Sequence, residues 1–242
     1  MSPRQAPWSM LTRWLAVGVM AALTGCAGTP PPVWQLDVRQ AVEQAMAATL
    51  AGQARVAQAQ WHRALQAAAA TGRADVLAHV ALSRCAVEQT ALVWDGCTAA
   101  QPYLPDAGPA LQAYAAWLAW PDVPTTAPTV TALPPAHQPV AQRLLQRAPP
   151  GELVLALQSV PDPLARLVAG SVAWRAGRLD AAGVAVLVDT ASAQGWRRPL
   201  AVWLGVQARL ADAAGDAEAA ARARRRQAWV LGPEAPPTDQ GR

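Results

Sequence analysis

Glycine is followed five positions later by alanine at three separated places in this chain: Gly52 and Ala57, Gly177 and Ala182, Gly215 and Ala220. Glycine tolerates the left-handed backbone of a tight turn, and alanine lets a neighbouring helix come close. Both properties suit a turn followed by a closely packed helix. The runs around these positions are rich in alanine, the strongest helix former, and modest in β-branched residues. Lys, Asn, Phe and Ile are absent, while 11 tryptophans supply the bulk that an alanine-rich core lacks. The absent residues share A/T-rich codons. A GC-rich coding bias therefore accounts for the abundance of Arg and Trp before any functional meaning is needed. The expected fold class is all-α.

Glycine and proline divide the chain. Helices are expected over 33–50, 54–70, 73–94 and 108–120, with "AGQ" and Gly72 as breaks. Residues 121–139 contain six prolines, which no helix crosses, so a surface loop or a seam is expected there. Short helices at 139–147 and 151–158 follow, then a cleaner pattern from Pro161. The resulting division is an N-terminal half at 33–120, a Pro-rich loop at 121–139, a C-terminal half at 140–230 and a disordered tail at 231–242.

The spacing resembles the tetratricopeptide repeat, a helix pair of about 34 residues that stacks into a solenoid. Gly52, Ala57, Trp61 and Ala64 occupy its turn, small, large and small positions. Gly177, Ala182 and Val186 match three of them, with Asp189 a departure at the fourth. Gly215 and Ala220 match two, while Arg224 and Gln227 depart. Gly170 and Ala173 stand at the small positions of a preceding helix. The resemblance implies stacked hairpins, interrupted near 121–139, whose first helices line a concave binding face. Ser171 and Trp174, then Arg209 and Asp212, are the lining candidates. An irregular helical bundle is the competing reading, because an alanine-rich chain fills small positions by chance.

The N-terminus carries Arg4 and Arg13 without an acid, then the apolar run "LAVGVMAAL". That run is shorter than the roughly 20 residues of a membrane span and has the layout of a secretory signal. "LTGC", Leu23 to Cys26, resembles the lipobox of bacterial lipoproteins. The resemblance implies a signal peptide at 1–25, acylation of Cys26 by chains such as palmitate, and a Pro-rich tether at 26–32. Because Ala27 follows in place of aspartate, it also implies the periplasmic face of the outer membrane. Without the two leader arginines the net charge of +4 falls to about +2, and no nucleic-acid partner is expected.

Cys85 and Cys97 are expected to form a structural disulfide in that oxidising compartment. A helix running to Trp94 would carry the chain too far for the bridge, so it must end early or turn back. His62, His79 and His137 lack metal-ligand spacing, and neither metal nor cofactor is expected. The absence of lysine excludes Ser–Lys chemistry. Glu43, Glu88 and Glu152 are isolated acids, one of which would have to act as general acid if the chain cleaved peptidoglycan.

The arginines remain. Arg222, Arg224, Arg225 and Arg226 form a charge run near a helix C-terminus. They are read either as a solvated face that meets the helix dipole or as contacts to an anionic membrane surface. Arg197 and Arg198 stand at a helix start, where the dipole opposes them, and have less structural reason to be there. With Trp174 and Arg209 they are the candidates for gripping a protein or peptide partner. The expected function is a lipid-anchored, non-enzymatic scaffold or adaptor of a cell-envelope assembly. Peptidoglycan cleavage and a purely structural spacer are the alternatives.

Overall fold

A computed structural model describes residues 32–120 and 129–232. The expected leader, Cys26, the expected tether up to residue 31, the first part of the Pro-rich loop and all but the start of the expected tail lie outside the described residues. Helices α1 (Val33–Leu50), α2 (Ala54–Ala69) and α3 (Ala74–Gln89) come first, followed by a 3-10 stretch, Thr98–Asp106, and α4 (Pro109–Ala119). Two short 3-10 turns, Val130–Ala132 and Pro135–His137, lead into α5 (Gln138–Leu145) and α6 (Pro150–Ser159). The chain ends with α7 (Pro163–Arg175), α8 (Ala181–Ala193), α9 (Arg197–Ala213) and α10 (Ala217–Leu231). No strand occurs among the described residues. Sequential helices pack as hairpins, α1 on α2, α2 on α3, α7 on α8, α8 on α9 and α9 on α10, giving a stacked, solenoid-like arrangement.

The turns explain why the hairpins form where they do. Gly52 has φ +77°, and the amide of Gln53 beyond it donates back to the Ala48 carbonyl (2.9 Å). This closure satisfies carbonyls that the helix end leaves open. It recurs at Gly177, Gly195 and Gly215. Arg147 makes the same closure at φ 54°, where a side chain is strained.

The register after Gly177 differs from the expected one. In α2 the residues facing inward are Ala57, Trp61, Ala64 and Ala68, all buried. In α8 Ala182 is exposed, and Val184, Val188 and Ala191 are fully buried instead. The cause is a turn two residues longer: α2 starts at Ala54 after Gly52, whereas α8 starts at Ala181 after Gly177. With that insertion Val184, Val188 and Ala191 take the places of Ala57, Trp61 and Ala64, and Asp189 is simply a solvent position. Leu179, in the inserted segment, folds over Gly183, where a Cβ would stand 2.4 Å from its methyl. Gly170 does serve as the close-approach residue of the α7–α8 crossing, since a Cβ there would lie 2.4 Å from a methyl of Leu187.

α3 ends at Gln89, five residues short of the expected Trp94. Leu92 adopts φ 58°, the chain doubles back, and Cys97 returns to Cys85 with a Cα–Cα distance of 5.3 Å and a disulfide between them. The early stop satisfies the geometric condition for the bridge. Asp95 steadies the returning loop by accepting the Cys97 amide (2.8 Å). The buried Gln89 amide donates to the Leu118 carbonyl (2.9 Å), fixing α3 to α4.

α3 is buried on both faces. Val80 and Val87 join a cluster with Ala45, Ala57, Trp61 and Ala64 of α1 and α2. Leu82 and Cys85 join a larger one that takes in Trp117, Leu144, Leu157, Leu187 and Trp203. The described part of the Pro-rich segment, 129–139, is partly packed: Leu133 joins this core and His137 is buried, while Thr129, Thr131, Pro134, Pro135 and Pro139 stay exposed. Proline there ends helices without excluding burial, since the 3-10 turns pair its carbonyls locally.

Candidate functional site

An open groove runs along the side where α1, α3, α4 and the start of α7 face one another. Its outer part has a volume of about 650 Å³ between Val38, Val42 and Met46 of α1, Val76 and His79 of α3, and Leu111 of α4. A second cavity of about 370 Å³ continues it inward, sharing Met46, His79, Ser83 and Leu111 and ending against Tyr114, His137 and Asp162. α2 packs behind α1 and α3 and takes no part in its walls.

The walls are apolar and the rim is charged. Trp34 lies under the Arg73 guanidinium, 5.7 Å from its ring centroid, and Arg73 also pairs with Asp75 (2.6 Å). Arg39 and Glu43 pair across one turn of α1 (2.8 Å). At the inner end burial pushes the His137 imidazole down to about 4, partly opposed by Asp162, so the ring is neutral at pH 7. His79 is lowered by burial, and Tyr114 is raised by burial and by Asp162. The His137 ring sits 5.3 Å from Tyr114 and 6.1 Å from Trp117, and its Nδ1 is buried without a hydrogen-bond partner among the described residues. Asp162 caps α7 by accepting the Ala165 amide (2.6 Å).

The Ser83 hydroxyl donates to the His79 carbonyl (2.8 Å), away from the imidazole that would activate it. Cys85, Asp95 and Cys97 cluster within metal-binding distance, yet the two sulfurs are bonded to each other and offer no thiolate. Glu43, Glu88 and Glu152 each face an arginine: Arg39, Arg198 (2.5 Å) and Arg143 (3.3 Å).

The arginines and aromatics singled out from sequence are not brought together. Arg197 and Arg198, expected to have less structural reason at a helix start, both have partners within the fold. The Arg197 guanidinium donates to the carbonyls of Val230 (2.7 Å) and Leu231, capping the far end of α10. Arg198 pairs with Glu88 in a separate polar cavity of about 460 Å³ that also holds Arg84. Trp174 is half-buried, its ring edge-on to Trp203 at 6.2 Å. Ser171 is fully buried and donates to the Leu167 carbonyl (2.8 Å), so it lines no groove. Arg209 is exposed. Asp212 pairs with Arg224, and Arg222 with Glu218.

Sequence reasoning missed the groove. The stripe Trp34, Val38, Val42 is visible at helical spacing, but spacing alone does not tell a covered face from an open one. No family model, curated protein or solved structure matches the chain.

Proposed function

We propose that this chain is a lipid-anchored periplasmic adaptor that holds an apolar segment of a partner protein in the groove between α1, α3, α4 and α7. The groove carries the reading. Its walls are Val38, Val42, Met46, Leu111 and Val168, and its few polar groups at the inner end can orient a guest. "LTGC" supports attachment through Cys26 on the periplasmic face of the outer membrane, and the stacked hairpins support kinship with tetratricopeptide-type adaptors.

The peptidoglycan-cleaving alternative needs a carboxyl free to act as an acid in an apolar cleft; Glu43 on the groove rim pairs with Arg39, Asp162 at its inner end caps α7, and Glu88 and Glu152 pair with arginines outside the groove. A photo-crosslinker placed at Leu111 or Ser83 in intact envelopes tests the adaptor reading. One protein should be trapped at both positions, lost on Met46→Arg, and absent when the crosslinker replaces exposed Arg209. Trapping only lipid, or the same proteins at all positions, would overturn it. Cys26→Ala should abolish lipid labelling and release the chain from the membrane fraction; retained label would overturn the anchor while leaving the groove untouched.

A further inference from the structure

α10 presents two unlike faces. Its inner face packs through Ala220 and Ala223, and the Gln227 amide donates to the Ala201 carbonyl of α9 (2.8 Å). The approach is close, since a Cβ on Gly205 would meet Gln227 at 2.8 Å. The outer face follows the spacing i, i+3, i+7 through Arg222, Arg225 and Trp229. Trp229 is 76 % exposed, and Leu231 just beyond is 55 % exposed.

Glu218 is the only acid in α10, and Arg222 pairs with it. Arg224 is taken by Asp212 of α9. Arg225 and Arg226 have no ion pair among the described residues, and Arg225 is exposed. Arg197 brings a further guanidinium to the same helix end, where it caps the Val230 and Leu231 carbonyls. The surplus positive charge and the exposed indole therefore share the last turns of one helix. No basic residue lies in the last turn of α10, where the helix dipole would favour it, and packing does not cover the Trp229 indole.

We infer that the outer face of α10 docks on an anionic lipid surface, with Arg225 and Arg226 on headgroup phosphates and Trp229 at the boundary with the acyl chains. Indole is amphipathic and settles at that depth, while guanidinium binds phosphate oxygens in pairs. A convex helix face with flexible arginines fits a fluid surface of distributed charge. An acidic protein would need a complementary shape, and the cavities of this chain are built by other elements. The contact is additional to the groove and does not require acylation of Cys26.

The test uses the chain from Ala27 onward, which contains every described residue and neither leader nor lipid. It is sedimented with vesicles of phosphatidylcholine alone and of phosphatidylcholine mixed with phosphatidylglycerol. Binding should appear only with phosphatidylglycerol and weaken as salt rises. Arg225→Glu with Arg226→Glu should lower the partition coefficient at least tenfold, from about fivefold per lost arginine. Trp229→Ala should lower it several-fold even at high salt. All three positions lie on the outer part of α10, so an unchanged melting curve serves as the folding control. Equal binding to neutral vesicles, no binding to anionic ones, or charge reversal without effect would each overturn the inference. So would an acidic protein partner that needs these arginines while lipid does not.

Discussion

The Trp203 indole reaches out of α9 and donates its Nε1–H to the Thr90 carbonyl (2.9 Å), the residue that closes α3 more than a hundred positions earlier. Both residues are buried, and a helix-end carbonyl buried without a donor would carry a desolvation cost. The bond therefore joins the C-terminal hairpins directly to the N-terminal ones. Trp203→Phe should keep most of the packing but leave that carbonyl unsatisfied, at a cost of about 1–3 kcal/mol. Trp203→Ala should cost about 3–5 kcal/mol, with a cavity beside Trp174. Urea denaturation of the two variants separates the bond from the bulk.

Reducing the Cys85–Cys97 bridge, or replacing both residues by Ala, should destabilise the chain by about 2–4 kcal/mol. The turn itself should survive, because Asp95 still accepts the Cys97 amide and Gln89 still reaches Leu118. The expected result is a lower melting temperature with an unchanged far-ultraviolet spectrum. Loss of helix content on reduction would show that the bridge, and not the turn, defines the end of α3.

His137 predicts an acid sensitivity with a definite window. Its imidazole has a value of about 4 in the fold against 6.5 when free, so below pH 6.5 the unfolded chain takes up a proton that the folded chain refuses. Stability should fall as pH drops from 6.5 towards about 4, by about 3 kcal/mol in all. His79, also lowered, adds to the same slope. His137→Gln should flatten the dependence of the urea midpoint on pH. An unchanged slope in that variant would assign the effect elsewhere.

Arg147 holds a left-handed backbone that its side chain does not favour, and that side chain is exposed. Arg147→Gly should relieve the strain, and after the entropy that glycine adds to the unfolded chain a gain of about 0.5–1 kcal/mol remains. Gly52→Ala should show the opposite sign, because φ +77° is then imposed on a side chain. Paired thermal melts check both.

Local chemistry made much of this fold legible. Glycine turns, alanine-rich helices and the Cys85–Cys97 pairing follow from short-range rules, and the bridge even required the early stop of α3 that is found. The Gly177 hairpin was misread because Arg178 and Leu179 lengthen its turn. Two extra residues rotate every following side chain to a new face. The structural role of Arg197 and Arg198 was illegible for a different reason. Their partners, Val230, Leu231 and Glu88, are distant in sequence and only the docking of hairpins reveals them. The groove is a property of gaps between helices, and no single helix encodes a gap.

α3 gives Val80 and Val87 to one core and Leu82 and Cys85 to the other. Linear repeat arrays can lose a terminal unit while the rest stands, because each unit leans only on its neighbours. Here, peeling away either end strips one side of a helix that the remainder also needs. Unfolding should therefore be all-or-none, with a single denaturation transition reported alike by tryptophans on both sides of α3. A molecule that melts this way has no half-folded form in which the groove is lost and the rest persists.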